Sequence, residues 1–372
     1  MNQEFVTPAY NAESLSELLP SIEARIAGQE PAIDLPAAQK YVLLLVDGLG
    51  WQALQQYQQH AHTMAELLGD AKRLTCGVPS TTAASLTSIG CGTWPGGHGV
   101  VGYTFLDPEA DQVVNALTWE GGPDDVEGFR RVPTRFQALS REGVGSAVVS
   151  LSRFEDSALT RLAFEGTAKF GLDTESEASV FCGQVLAALE DSQVVYCYER
   201  MLDHVGHGFG VGSWQWLEQL ERIDDLILEL SAALPAGTCL LVTGDHGMVN
   251  VPDTHRVTAQ DHPELGGFRH IAGEGRFRQL HTDDPASLAG AWRRFLGERA
   301  TVRLRDDAIL DGWFGPTIAP SVAERIGDVL VAMHGDWAVM STTFPGEFNL
   351  VGMHGSLTRS EMLVPLLSTR PN

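Results

Sequence analysis

Runs of apolar residues alternate with amphipathic stretches along most of this chain. Lys40–Val46 (KYVLLLV), Gly145–Leu151, Gln193–Tyr198 (QVVYCY) and Thr238–Val242 (TCLLV) are apolar without alternation, the pattern of strands covered on both faces. Helical spacing is found over 12–28 with a restart at Pro20, and over Trp51–Leu68, Ala83–Ile89, Pro133–Glu142, Glu175–Glu190 and Ser213–Leu234, the last with Ser213 as its cap. Strand and helix in alternation predict an α/β fold, a doubly wound, mainly parallel sheet with helices on both faces. Residues 93–103 read as a glycine-rich loop and 104–133 as a surface excursion. From about 255 the pattern becomes shorter and more polar, with strands at Arg276–His281, Ala300–Leu304 and Asp328–Met333 and helices at Pro285–Leu296 and Val322–Ile326. We therefore expect a core of 1–254 plus 337–372, closed by a short helix at Thr358–Leu363, and a small α+β, cap-like insertion at 255–336.

Ligands of such sheets bind beyond the carboxyl ends of the strands. Asp47 follows the first buried strand in Asp47-Gly48-Leu49-Gly50. Asp203 and His207, spaced i, i+4, follow the strand at 193–198, and Asp245-His246 follows the strand at 238–242 between Gly244 and Gly247. His354 sits in Gly352-Met353-His354-Gly355. Glycine frees each candidate to approach a ligand closely. Each has a plainer reading taken alone: Asp47 as a helix cap, Asp203/His207 as an ion pair, the others as loop residues. Together, three Asp and three His without cysteine suit divalent cations, zinc first, manganese or iron next. Six ligands are too many for one catalytic ion and suit two, about 4 Å apart, the arrangement used for displacement at phosphorus. Before the helix at 83–89 stands Val78-Pro79-Ser80-Thr81-Thr82, hydroxyls beside the free N–H groups of a helix N-terminus, where phosphate binds and an attacking oxygen is helped to ionise. His98 and His204 read as structural or supporting residues. Trp94, Phe105 and Trp119 could stack a ring, or belong to the core.

Composition narrows the class. The 372 residues are 44% hydrophobic and 20% charged, a globular balance, and carry a net charge of −23. Such a surface repels polymeric nucleic acid yet tolerates a small phosphate ester at a cation site. The five cysteines are odd in number and scattered without a CxxC, as expected of buried thiols in a reducing compartment. The first residues lack a basic segment followed by an apolar one, and no apolar run reaches membrane-span length, so we expect a cytoplasmic protein without membrane contact.

Taken in order, LLLVDGLG, VPSTTAASLTSIGCG, HGVVGY, LDHVGHGFG, TGDHGM and GMHG resemble the alkaline phosphatase superfamily, and within it the nucleotide pyrophosphatase/phosphodiesterase (type I phosphodiesterase) branch. The resemblance implies an alkaline-phosphatase-like fold and a threonine that attacks phosphorus to give a covalent intermediate. It places that nucleophile at Thr82, with Thr81 its nearest competitor. It implies that Asp47, Thr82, Asp245 and His246 hold one zinc and Asp203, His207 and His354 the other. Three features depart from the family: Ala84-Ser85 replaces a Pro-Asn pair, Gly102-Tyr103 stands where many members have an asparagine on a phosphate oxygen, and no arginine for a dianionic phosphate is evident. Tyr103, or the N–H of Thr82 or Ala83, could take over that oxygen. The expected function is cleavage of phosphodiester or pyrophosphate bonds in small nucleotide-like substrates. The alternatives are a phosphomonoesterase or phosphonate hydrolase on the same scaffold, or a metal- or phosphate-binding protein without turnover.

Overall fold

The computed structural model describes residues 5–175 and 177–371. Ser176, inside the helix expected over 175–190, and the first four residues of the N-terminal stretch lie outside the described residues. A seven-stranded sheet runs in the order Lys72–Thr75, Leu363–Ser368, Thr238–Thr243, Lys40–Val46, Val194–Glu199, Ser146–Leu151, Ala168–Leu172. The last five are parallel, and Leu363–Ser368 is antiparallel to both its neighbours. Val46 pairs with Glu199 and Leu45 with Thr243, so three strands end level and the residues following them share one edge.

The unbroken apolar runs are explained by two cores. Tyr41, Leu43, Leu45, Tyr196 and Leu241 face one side, with Leu19, Leu86, Ile89, Phe136 and Leu162 from its helices. Val42, Leu44, Val46, Cys197 and Val242 face the other, under Val185, Trp216, Leu220 and Ile227. All five cysteines are buried and free. Among the described residues no helix is long and apolar enough to cross a membrane.

Several expectations are corrected. The helix expected over Trp51–Leu68 is broken into Trp51–Gln56 and His62–Leu67 by a 3-10 turn at Gln58–His60. The stretch 104–133 is not surface: Thr104–Asp107 and Gln112–Asn115 form a hairpin, and Phe105, Val114, Val126 and Phe129 are buried in the first core. Pro20 does not restart a helix but sits in the first turn of Leu18–Ile26, where its missing N–H costs nothing. Ser213 caps as expected, accepting from the N–H of Trp216. Strand Ala168–Leu172 escaped the sequence reading because it is a half-exposed edge, and Leu363–Ser368 because Pro365 interrupts it.

Residues of the expected insertion form an antiparallel sheet in the order His270–Glu274, Phe277–His281, Val329–Met333, Ala300–Leu304. Leu280, Val302 and Val331 meet Trp292 of helix Pro285–Leu296 on one face, while Phe277, Leu330 and Ala332 join the first core on the other. This sheet carries Glu274 to the edge where the strands end.

His98, left between a supporting and a structural role, is fully buried. Its Nδ1 accepts the N–H of Val100 at 3.1 Å, which leaves the proton of the neutral ring on Nε2, 2.9 Å from Ser88 Oγ. Burial first, then the charges of Arg325 and Arg130, push its pKa from 6.5 down to about 3. The unfolded chain therefore binds the proton below pH 6.5 while the folded chain refuses it. Stability from this group is intact above pH 6.5 and falls with pH, by about 2 kcal/mol at pH 5. Urea unfolding between pH 7 and pH 5 is expected to show a steeper loss in the wild type than in His98→Gln.

Candidate active site

The site gathers where the parallel strands end. Asp47 leaves its strand into Gly48, whose φ of +77° and contact with Asp203, 3.0 Å from a hypothetical Cβ, reserve the position for glycine. Asp245 Oδ1 accepts the N–H of Gly48 and of His246, both at 3.0 Å, and this fixes its carboxylate plane. Asp203 and His207 lie on helix Met201–Phe209, so the i, i+4 spacing is helical and brings Nε2 of His207 to 3.3 Å from Asp203 Oδ2. His354 comes from the C-terminal loop, with its ring stacked on His246 at 3.7 Å and 5.2 Å from the ring of His207.

The three imidazoles share one arrangement. Nδ1 faces a backbone carbonyl in each: Gly352 at 2.7 Å from His207, Gly247 at 3.1 Å from His246, Ser80 at 2.9 Å from His354. Donation from Nδ1 leaves the lone pair of each Nε2 toward the shared space, the orientation a metal-binding histidine needs. In that space His246 Nε2 lies 3.5 Å from Asp47 Oδ1 and 3.4 Å from Asp245 Oδ2.

The donor set fits cations on its own terms. Asp47 Oδ1, Asp203 Oδ1 and Asp245 Oδ2 are buried without a hydrogen-bond partner. Burial first, then the charges of Asp245 and Asp203, drives the Asp47 carboxyl well above its usual range, although the Tyr198 hydroxyl donates to it. Three carboxylates, each with a buried oxygen left unfilled, are costly unless positive charge joins them. Among the described residues two trios are compact enough to hold an ion: Asp47, Asp245 and His246, and Asp203, His246 and His354. The first agrees with the grouping that the resemblance implied. The second differs, since His246 stands in both and His207 is drawn in only through Asp203.

Thr82 opens helix Thr82–Cys91, and its Oγ1 lies 3.2 Å from His246 Nε2. The helix is pinned in place: Gly90 touches Ala163 so closely that a Cβ would fall 1.8 Å from its carbonyl oxygen, and Ser85 Oγ donates to the carbonyl of Asp245 at 2.7 Å. Thr81, the competing hydroxyl, is the residue before the helix but makes no side-chain cap bond; its side chain acts on the Glu274 carboxyl, whose pKa it lowers. Tyr103 lines the cavity, where its hydroxyl accepts from Asn115 at 3.1 Å and keeps its own proton for an acceptor. His204 lines the same cavity from a different face of its helix than Asp203 and His207. Trp94, Phe105 and Trp119 are not among the residues lining it. Phe105 stacks on Phe129, Trp119 meets Phe129 edge-on, and Trp94 Nε1 donates to Thr317.

Three further residues belong to the site. Tyr198 holds Asp47, and strand alternation with Tyr196 would have aimed it there. Glu274 lies between Thr81 and His354, with Oε2 3.3 Å from His354 Nδ1; the flanking Gly273 and Gly275 repeat the signal used for the other candidates. Burial drives its carboxyl well above the usual range. Arg200 also reaches the cavity, although no arginine was evident in the sequence, and its guanidinium is bound to Glu175 at 2.7 and 3.0 Å.

An α/β scaffold that gathers acids, imidazoles and a helix-borne threonine at its strand ends defines a class of phosphoryl-transfer hydrolases. The type I phosphodiesterase / nucleotide pyrophosphatase family model matches residues 41–357, and the chain belongs to that family, within the alkaline phosphatase superfamily. Membership places it among phosphoric ester hydrolases, and the family is dependent on divalent metal. Comparison with curated proteins by sequence finds no match. Among solved structures, murine ectonucleotide pyrophosphatase/phosphodiesterase 5 superposes with a TM-score of 0.70 at 16% identity, covering 90% of this chain and 88% of that one. An inactive threonine-to-alanine form of the murine protein, in complex with AMP, gives 0.68 at 15% identity with the same coverage. Phosphonoacetate hydrolase from Sinorhizobium meliloti 1021, in complex with phosphonoacetate, gives 0.66 at 18% identity over 90% of each chain.

Proposed function

We propose that this protein is a two-metal phosphodiesterase or nucleotide pyrophosphatase acting on small phosphate esters, with Thr82 as nucleophile. The observation that carries this reading is the Thr82 hydroxyl, 3.2 Å from His246 Nε2 and facing partnerless carboxylate oxygens at the start of a rigid helix. Asp47, Asp245, His246 and Thr82 would hold one cation, zinc by donor type, and Asp203, His207 and His354 the other. Such cations would lower the pKa of an alcohol or water and neutralise charge on the phosphoryl oxygens. Thr82 Oγ then attacks in line, the bond from phosphorus to the leaving oxygen breaks, and a phosphothreonine ester forms. Water attacks from the side the leaving group vacated, the bond from phosphorus to Thr82 Oγ1 breaks and the threonine hydroxyl recovers a proton, and the two inversions retain configuration at phosphorus. The N–H groups of Thr82 and Ala83, which have no intrahelical partner, and the Tyr103 hydroxyl bind the non-bridging oxygens.

Purified protein is expected to carry about two divalent ions per chain by mass spectrometry. Chelation should abolish turnover of bis(p-nitrophenyl) phosphate, and zinc should restore it. A second reading, phosphonate or monoester hydrolysis, draws support from the shared fold with phosphonoacetate hydrolase. Arg200 speaks against it, since Glu175 already occupies the one guanidinium that could meet a dianionic phosphate. A p-nitrophenyl monoester turned over faster than the diester would select this second reading.

A further inference from the structure

The cavity that holds the acids and imidazoles has a volume of about 610 Å³ and extends beyond them along a mostly apolar wall. That volume is in the range of small-ligand sites. Leu86 stands one helical turn after Thr82 on the same helix face, and the channel leads from there between helix Ala158–Phe164 and the sheet. Its walls there are Leu159 and Phe164 from the helix and Val148 and Tyr196 from the strands, the rings of Phe164 and Tyr196 lying 4.4 Å apart. Phe344, Pro345 and Leu350 line the cavity too, and Phe348 and Val351, their neighbours in the chain, are 39% and 37% exposed. Away from the acids that face Thr82, the buried hydroxyl of Tyr196 is without a partner, as are Oε1 of Glu274 and Oε1 of Glu347.

Charge defines what this channel rejects. Glu274 and Glu347 line it together with Asp47 and Asp203, and the one Lys or Arg among the lining residues, Arg200, is bound to Glu175. A second phosphate or a carboxylate on the substrate would find no cation there. A sugar's hydroxyls would face leucine, valine and phenylalanine over most of this wall, with the hydroxyls of Tyr196, Ser150, Ser157 and Thr160 between them, and each polar group left unpaired there weakens binding.

We infer that the phosphate ester this site takes carries an uncharged, largely apolar substituent, a hydrocarbon chain or aryl group, and not a nucleoside. The inference rests on the phosphodiesterase reading above and names the substrate class for it. The phosphoryl group sits between Thr82 and the acids, while the substituent lies along Leu86, Val148 and Phe164.

A set of p-nitrophenyl phosphodiesters that differ only in the second ester tests it: methyl, butyl, octyl and thymidine 5′. Kd is measured by calorimetry on zinc-loaded Thr82→Ala, and turnover on the wild type. Each methylene buried in the channel should tighten Kd by about fourfold at most. From methyl to butyl we expect a gain of tenfold or more, with the octyl ester bound more tightly than the thymidine ester. Val148→Thr, close in volume, should weaken the octyl ester several-fold and leave the methyl ester unchanged. A Kd that does not change along the alkyl series, a thymidine ester bound most tightly, or an octyl ester indifferent to Val148→Thr overturns the inference. Absence of turnover for every ester overturns the phosphodiesterase reading instead, and the Kd series still decides the substituent.

Discussion

Thr82→Ala is expected to lower kcat for bis(p-nitrophenyl) phosphate by about 10⁴-fold or more, because loss of a nucleophile removes the whole covalent route and leaves only binding and electrostatics. Folding should hardly register the change. Thr82 is half-buried, its hydroxyl meets only His246, and Ser85 and Gly90 continue to pin the helix. A thermal unfolding midpoint close to that of the wild type, with about two ions still bound, would separate chemical loss from structural loss. Thr81→Ala is the control: its hydroxyl is turned to Glu274, so its effect on kcat should be at least a hundredfold smaller. Acid quenching of wild-type turnover should trap a phosphate on the peptide that contains Thr82. Full activity in Thr82→Ala would assign the attack to water and remove the covalent intermediate from the scheme.

The site was legible in the sequence because its chemistry sits next to structural punctuation. Asp47 and Asp245 follow apolar runs that read as buried strands, and the glycines next to them, Gly48 after Asp47 and Gly244 and Gly247 around Asp245-His246, mark backbone that must come close to something. The register of the sheet then brings them together without further instruction, since Val46, Glu199 and Thr243 end level. Glu274 shows the limit. It has the same glycine flanks, but it reaches the site through an antiparallel sheet whose docking depends on Phe277, Leu330 and Ala332 entering the main core, a long-range packing choice that no local pattern encodes. The hairpin at 104–115 was hidden for a related reason. Its charged tip reads as solvent-facing, while the burial of Phe105 and Val114 depends on partners distant in sequence. The grouping of His246 with both trios is a matter of ring position and lies below what spacing can resolve.

The largest loss of stability from a single substitution outside the reacting groups is expected at Glu361. Its carboxylate meets the guanidinium of Arg276 through two bonds, Nε to Oε1 at 2.7 Å and Nη2 to Oε2 at 2.8 Å, and both side chains are completely buried. The same carboxylate accepts the N–H of Ser356 at 3.0 Å and the hydroxyl of Thr358, while Arg276 also donates to the carbonyl of Trp337 at 2.6 Å. The backbone carbonyl of Glu361 accepts the N–H of Gly247 at 2.8 Å, next to His246. The pair thus ties the antiparallel sheet, the loop after His354 and the Asp245-His246 turn to one point. Glu361→Gln keeps the shape but leaves the Arg276 charge buried without its counterpart, which costs about 3–5 kcal/mol. In a chain of this size that should lower the unfolding midpoint by roughly 4–6 °C. Replacing both partners, Arg276→Met with Glu361→Leu, should recover the part of the loss that comes from the stranded charge, while the Ser356 N–H and the Thr358 hydroxyl stay without their acceptor. Metal content separates the consequence for the site from the consequence for the fold: the single variant, still folded at 20 °C, should retain fewer ions after dialysis than the wild type, since the turn carrying His246 and the loop carrying His354 are no longer held to a fixed support. A loss below about 1 kcal/mol in the single variant would place the pair with surface ion pairs and remove it as the anchor of the site.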